Sequence, residues 1–353
     1  MAKKVLIVDD SALIRKQLGE LFDGAGYDIG FAKNGKEAVE FATSVDFDVI
    51  TMDINMPVMD GLTAVKEIMK INPTPIVMVS SLTQDEADIT FEALELGAVD
   101  YVPKPGTITL NIKETKDEIL RKVEVASKIK KNRLIIRKQA TKRRVDLQKK
   151  SNLVKKELPK DVKKLVLIGA STGGPGLIEE ILTNLPSSYP YPICVVQHMP
   201  ESFTANFAKR LNKNSQIEVI EAKSGDIVTP GKAIIGKGGK HLHFAKKASG
   251  ALTVKLVPNT MNRFFVPSVD EMFFSAAKVF DPKKILAVEL TGIGDDGADG
   301  MVELKKRGAY TIAESEETAV VYGMPKEAYK KGGVVKQLPF PLIVKEILKY
   351  GEE

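Results

Sequence analysis

Short apolar runs alternate with amphipathic stretches through most of the chain. Residues 5–8 (VLIV) read as a buried strand, and residues 12–22 carry apolar positions at helical spacing. The alternation then repeats. Strand-like runs fall at 27–31, 48–52, 76–79 and 99–102, with helical patterns at 36–43, 62–69 and 86–96 between them. Five such β/α repeats predict a parallel sheet with helices on both faces. After residue 118 an apolar pattern, Ile119-Leu120, Val123, Val125 and Ile129, could extend a last helix of the first block; beyond residue 130 the apolar positions thin out, and they resume at 165–168. From there strand-like runs at 191–197, 217–222, 233–235, 252–257, 284–290 and 309–313 mix with helical patterns at 177–182, 203–211 and 272–280. The expected fold class is α/β: two doubly wound parallel-sheet domains, at 1–125 and 163–353, joined by a basic, partly helical linker at 126–162.

Composition fits this division. A chain of 353 residues with 43% hydrophobic and 28% charged residues can build two soluble cores. The basic and apolar start of MAKKVLIVDD is too short for a secretion signal, and no long apolar span follows. No membrane insertion is expected. The single cysteine, Cys194, excludes an internal disulfide framework and fits a reducing cytoplasm; its mid-strand position reads as core. Charge is concentrated. Between Arg121 and Lys160 sixteen Lys and Arg face only Glu124, Asp146 and Glu157. That is a net +13 in a chain of +6, which leaves the rest at −7. The plain reading is a solvated linker, and the sharper one a docking strip for an acidic partner. Such a run also meets nucleic acid electrostatically, but no helix-turn-helix or zinc-ligand spacing accompanies it, so no nucleic-acid partner is expected.

Reactive groups collect where strands end, which in such sheets is where ligands bind. In the first block Asp9 and Asp10 close the first strand, Asp53 the third and Ser80 the fourth, while Lys104 follows the fifth. Any one aspartate there reads as well as a cap of the next helix. Three converging carboxylates repel one another unless a cation joins them, and hard oxygen ligands suit Mg²⁺. A phosphoryl group on Asp53 would find Lys104 and the Ser80 hydroxyl within the same edge. In the second block the run 165–168 breaks into GASTGG, a strand, a sharp turn and then a helix, with Ser171 at the turn. Alone this could equally be a plain βα turn or a nucleotide-binding loop. A second strand ends at His198, one of three histidines, and a third in the aspartates of TGIGDDG. A histidine beside a serine can take its proton, and a carboxylate can fix the imidazole tautomer. His241 and His243 in KHLH would share one strand face, yet lack a third metal ligand and read as surface or cleft histidines. GKGGK, 236–240, lacks the spacing of a phosphate loop.

These motifs carry two resemblances. VLIVDDS, MDINMPVMDG, VMVSS and DYVPKP resemble the phosphoacceptor receiver domain of bacterial two-component signalling. The resemblance implies Asp53 as phosphorylation site and Asp9 and Asp10 as Mg²⁺ ligands with Asp53, completed by the Asn55 carbonyl. It also implies Ser80 and Lys104 as switch residues, Tyr101 as a rotating aromatic, and a cis Lys104–Pro105 peptide. GASTGG, QHMP, PSVD, TGIGDDG and YGMPKEA resemble the catalytic domain of the chemotaxis receptor protein-glutamate methylesterases. That match implies Ser171 as nucleophile, His198 as general base and Asp296 as orienting carboxylate. Thr172 and Ile293 would offer backbone N–H groups to the oxyanion, and the hydrolase site would need no cofactor. Two features depart from the family: Ile293 stands where methionine is usual, and the connector is longer and more basic. The implied activity is phosphorylation-activated hydrolysis of glutamate methyl esters on methyl-accepting chemotaxis receptors, with deamidation of receptor glutamines. A chemotaxis histidine kinase would be the phosphodonor, and the protein would act in the cytoplasm as a monomer. The competing reading is a phosphorylation-switched binding protein that uses the basic linker.

Overall fold

The computed structural model describes residues 2–81, 83–104, 112–129, 131, 134, 158–159 and 161–352. Most of the basic linker and the Lys104–Pro105 peptide therefore lie outside the described residues. The chain divides into two compact units, 1–144 and 145–353.

The first unit contains β1 (Lys4–Val8), α1 (Ala12–Asp23), β2 (Asp28–Ala32), α2 (Gly35–Ser44), β3 (Val49–Asp53), α3 (Gly61–Ile71), β4 (Ile76–Ser80), α4 (Gln84–Leu96), β5 (Asp100–Pro103) and α5 (Ile112–Ala126). Its strands form one sheet in the order β2-β1-β3-β4-β5, every pairing parallel. Helix α1 packs on α5, and α3 lies between α2 and α4, so both faces are covered. That is why β3 and β4 are buried at every position and read as continuous apolar runs. Side chains of Ser11, Asn34, Asp60 and Thr83 accept N–H groups in the first turns of α1 to α4. Strand order reverses between β1 and β3, and the crevice at that reversal is the usual ligand position of such sheets.

The loop after β3 holds one strained residue. Val58 has φ of 70° and is 81% exposed. A β-branched side chain pays a steric penalty there that asparagine largely avoids. Val58→Asn is expected to stabilise the first unit by about 1 kcal/mol, read as a higher urea midpoint with an unchanged slope. A midpoint equal to or below that of the wild type would mean the loop is not strained at this residue.

The second unit contains β6 (Leu165–Ala170), α6 (Gly174–Asn184), β7 (Ile193–Gln197), α7 (Glu201–Asn214), β8 (Glu218–Glu221), β9 (Lys232–Ile235), β10 (His241–Lys246), β11 (Leu252–Val257), α8 (Val269–Val279), β12 (Ile285–Glu289), α9 (Ala298–Lys306), β13 (Tyr310–Glu314), α10 (Met324–Lys330), β14 (Lys336–Leu338) and α11 (Phe340–Glu352). Seven strands pair in parallel in the order β14-β13-β12-β6-β7-β9-β8. The expected parallel sheet is present, with one addition: β10 and β11 form an antiparallel hairpin outside it. The hairpin packs on α8, where Leu242, Phe244 and Val254 join Met272, Phe273 and Ala276 in one core. Hydrophobic pattern alone does not distinguish a parallel strand from a hairpin strand with one buried face. Cys194 is wholly buried in β7, as its mid-strand position suggested. In this sheet the chain runs outward from β6 to β8 and then returns to β12 on the other side of β6. The reversal point lies between β6 and β12.

Candidate functional site

Three adjacent strands of the larger sheet, β12, β6 and β7, end at the same level. Glu289 pairs with Gly169, and Ala170 with Gln197. Ser171 follows β6 directly. Its N–H donates to the Thr291 carbonyl (3.0 Å), and its own carbonyl accepts from Gly174 N–H (2.8 Å) to close the turn into α6. Gly173 makes that turn possible: φ is +79°, and a Cβ there would sit 2.8 Å from Val320 Cβ. His198 follows β7, with its N–H donating to Ala170 O at 3.0 Å. The Gln197 side-chain amide donates to the carbonyls of Ser171 (2.9 Å) and His198 (3.1 Å), joining the two turns.

Asp296 lies in the loop after β12, with its Oδ2 2.8 Å from His198 Nε2. The same oxygen accepts the Val269 N–H at 2.7 Å, while Oδ1 accepts the Ser268 hydroxyl (2.7 Å) and the Asp270 N–H (3.1 Å). Ser268 is the N-cap of α8, so the carboxylate sits at the positive end of that helix. Burial opposes ionisation of Asp296. The bonds from His198, Ser268 and Val269 outweigh it and hold the carboxyl below its ordinary pKa. The imidazole is clamped from one side by Phe265, whose ring stacks on it at 3.9 Å and 8°.

The structure therefore joins His198 to Asp296 and sets Ser171 on the next strand. Ser171 is 6% exposed, and its hydroxyl makes no hydrogen bond to a described residue. His198 Nδ1 is buried and has no hydrogen-bond partner among the described residues. Ile293 N–H likewise meets no acceptor among them. The Thr172 carbonyl accepts from Thr291 Oγ1 at 2.9 Å. Sequence reasoning missed Gln197, Phe265 and Ser268 as supports of the Ser171 turn and the His198–Asp296 pair, although QHMP and PSVD were visible as motifs. His241 is buried rather than a surface or cleft residue. It accepts the Ser268 N–H on Nδ1 (3.1 Å) and meets Asn259 through Nε2, so it braces the Asp296 support. His243 pairs with Glu271 at 3.1 Å.

Behind Asp296 lies a further carboxyl. Glu289 is fully buried at the end of β12, and neither oxygen has a hydrogen-bond partner among the described residues. Gly297 makes room for it, since a Cβ there would fall 2.3 Å from Glu289 Oε2. Burial, and after it the charges of Asp296 and Asp270, push this carboxyl well above its ordinary pKa. Such a group stabilises the fold fully below its unfolded pKa and loses that contribution as pH rises toward its folded value. Glu289→Gln keeps the shape without the titration. The variant is expected to gain on the wild type from pH 5 to pH 8, by at most about 1.4 kcal/mol per pH unit, the slope of one proton. Parallel stability curves in urea across that range would show that Glu289 is ionised in the fold.

The smaller sheet has its own cluster at the β1/β3 reversal. Carboxylate oxygens of Asp9, Asp10 and Asp53 lie within 4.8 Å of one another. Lys104 Nζ is 2.7 Å from Asp53 Oδ1 and 3.7 Å from Asp9 Oδ2. Burial raises the Asp53 carboxyl to about 6, aided by Asp9 and resisted by Lys104. Burial also raises Asp9, against the Ser11 N–H and Lys104. Oδ2 of both residues is buried without a hydrogen-bond partner among the described residues. The Lys104 N–H donates to Ser80 O at 2.8 Å, tying the ends of β4 and β5. Tyr101 is buried, with Lys122 Nζ 4.9 Å from its ring centre. The Asn55 side chain donates to Glu86, a residue that sequence reasoning did not single out.

Known proteins similar to this chain are numerous. The family model described as CheB methylesterase matches residues 166–347, and the response regulator receiver domain model matches residues 5–114. A Carboxydothermus hydrogenoformans protein named protein-glutamate methylesterase/protein-glutamine glutaminase 2 is 49% identical over 350 residues, 98% of each chain. An Archaeoglobus fulgidus protein named protein-glutamate methylesterase/protein-glutamine glutaminase is 43% identical over 350 residues, covering 99% of this chain and 98% of its own. The crystal structure of the Thermotoga maritima CheB methylesterase catalytic domain is 39% identical with a TM-score of 0.51, over 54% of this chain and 99% of that one. Identity of this order along nearly the whole of both chains is the mark of common descent, and the chain belongs to the CheB methylesterase family, with a response regulator receiver domain preceding the catalytic domain.

Proposed function

We propose that the chain is a phosphorylation-activated protein-glutamate methylesterase and protein-glutamine glutaminase acting on chemotaxis receptors. The reading is supported by the names of its full-length relatives and carried by one observation: Ser171 and His198 directly follow two adjacent strands and Asp296 lies in the loop after the third, with His198 and Asp296 2.8 Å apart. Ser171 Oγ attacks the ester carbonyl carbon while His198 takes its proton. Because Nε2 is committed to Asp296, Nδ1 is the nitrogen left for that proton. The Ser–His bond is not formed in the free protein, where such bonds are commonly long and tighten around substrate. Backbone N–H groups of Thr172 and Ile293 stabilise the oxyanion, each worth about 3–4 kcal/mol in sites of this type. The tetrahedral intermediate collapses, the C–O bond to methoxide breaks, and methanol leaves with the proton from His198. Water then cleaves the acyl-serine and leaves glutamate. With a glutamine side chain the leaving group is ammonia and the product is the same glutamate.

Control belongs to the receiver. Asp53 is the phosphoacceptor, Ser80 and Lys104 hold the phosphoryl oxygens, and Tyr101 follows the switch. The orphaned buried oxygens of Asp9 and Asp53 fit a hard divalent cation. Asp9, Asp10, Asp53 and the Asn55 carbonyl would hold Mg²⁺. When bound, it supplies charge neutralisation for phosphoryl transfer. The phosphodonor is a histidine kinase of the chemotaxis system, and the protein works as a cytoplasmic monomer without inserting into the membrane. The test measures methanol release from methylated receptor membranes with and without a small-molecule phosphodonor. Wild type is expected to be stimulated about tenfold or more, a shift of roughly 1.4 kcal/mol between states, and Asp53→Ala not at all. Equal stimulation of both would remove Asp53 from the control of the enzyme.

A further inference from the structure

We infer that Glu86 is a positioning residue for the phosphoryl chemistry at Asp53: its carboxylate holds the Ser80 hydroxyl and the Asn55 side chain in the unphosphorylated arrangement. This rests on the reading of Asp53 as phosphoacceptor. The sequence suggests a smaller role. Thr83-x-x-Glu86 at the start of α4 is a capping box, in which the glutamate reaches back to the N–H of the threonine. Half of that box is present, since Glu86 N–H donates to Thr83 Oγ1 at 3.3 Å. The carboxylate goes elsewhere. Oε2 accepts the Ser80 hydroxyl (2.9 Å) and the Ser81 N–H (2.7 Å); Oε1 accepts the Ser81 hydroxyl (2.7 Å) and the Asn55 side-chain amide (3.0 Å). Four donors converge on one carboxylate, and two of them come from the residues that flank Asp53.

Those two contacts conflict with phosphorylation. In phosphoryl transfer an Asp53 oxygen attacks phosphorus, the bond from phosphorus to the donor's histidine nitrogen breaks, and the imidazole leaves with its electron pair. The new phosphoryl group then draws the Ser80 hydroxyl as a donor. That hydroxyl has one proton and must leave Glu86 to give it. Glu86 also shares Lys104 electrostatically with Asp53 and Asp9, and a nearby negative charge opposes an incoming phosphoryl group. The residue therefore biases the receiver toward the unphosphorylated state by differential contacts, as any two-state switch requires.

The experiment uses the full chain with Mg²⁺ and beryllofluoride, a phosphoryl mimic, with the dissociation constant read by fluorine NMR. Glu86→Ala is expected to bind beryllofluoride about tenfold more tightly than wild type, the effect of about one charge-assisted hydrogen bond no longer broken. Glu86→Gln keeps one acceptor oxygen and is expected to fall between them. Thr83→Ala removes the helix cap without touching the carboxylate; it should unfold more easily yet bind the mimic as wild type does. Equal shifts in Glu86→Ala and Thr83→Ala, or weaker binding by Glu86→Ala, would reduce Glu86 to a helix cap. Asp53→Ala is the separate control. If it binds the mimic as well as wild type, or if wild type does not bind, the phosphoacceptor reading fails and the role of Glu86 with it.

Discussion

Replacing Ser171 by alanine in the full chain is expected to lower kcat for methanol release by on the order of 10⁴-fold or more, with KM little changed. The substitution removes one oxygen, and that oxygen makes no hydrogen bond to a described residue. The backbone bonds that shape the turn, Ser171 N–H to Thr291 O and Gly174 N–H to Ser171 O, do not depend on the side chain. Thermal stability should therefore stay within about 0.5 kcal/mol of wild type, which separates loss of chemistry from loss of fold. Substrate binding should survive for the same reason. What remains is the modest catalysis that oxyanion donors give to direct attack by water. A variant that folds normally and retains a tenth or more of wild-type turnover would show that Ser171 is not the nucleophile.

How much of this was legible in the sequence follows from the range of each interaction. Apolar runs that stop at a reactive residue are local, so Ser171, His198 and the receiver aspartates could be found from pattern alone. Choosing Asp296 over Asp295 needed the family motif, and the structure separates them physically: Asp296 accepts His198, whereas Asp295 is exposed beside Lys331. The supports of the site were not legible, because each is a pairing between distant segments. Ser268 caps α8 by a local rule, but its bond to Asp296 spans 28 residues. Phe265 and Gln197 look like any aromatic or amide until the imidazole lies beside them. Glu289 did leave a signal that was passed over. A glutamate inside the apolar run KILAVEL must be either exposed or neutral, and it is buried. Glu86 left an ambiguous one, since a capping box predicts where its carboxylate should go and the carboxylate goes elsewhere.

Both domains also place their chemistry by one topological rule. The receiver reverses strand order between β1 and β3, and the catalytic sheet between β6 and β12. At each reversal neighbouring loops diverge to opposite faces and leave a crevice. Asp9, Asp10 and Asp53 line the first crevice, and Ser171 with the loop bearing Asp296 lines the second. Each site needed only polar residues at strand ends that the fold already brought together.

The support around Asp296 makes Asp296→Asn the second large prediction. The variant is expected to lose about 10⁴-fold in kcat, as when an orienting carboxylate becomes an amide elsewhere, and also to lose stability, by about 1–3 kcal/mol. An aspartate accepts on both oxygens, and here each oxygen meets a backbone N–H: Val269 on Oδ2 and Asp270 on Oδ1. Asparagine must turn its NH₂ toward one of them, and a backbone N–H cannot reverse its role. If the NH₂ takes the Oδ1 position, the Ser268 hydroxyl can rotate to accept, but Asp270 N–H faces a donor. If it takes the Oδ2 position, Val269 N–H faces a donor, and His198 Nε2 must accept. That second arrangement moves the imidazole proton to Nδ1, the nitrogen that the proposed mechanism assigns to receive the serine proton. A neutral amide also cannot balance the imidazolium that forms during attack. The measurement pairs kcat across pH 5–9 with urea denaturation of the same preparation. Stability loss with near-normal turnover would leave Asp296 a structural carboxylate that only closes the start of α8. Lost turnover with a preserved fold would mean that the hydrogen-bonding frame tolerates the amide and that charge alone carries the effect.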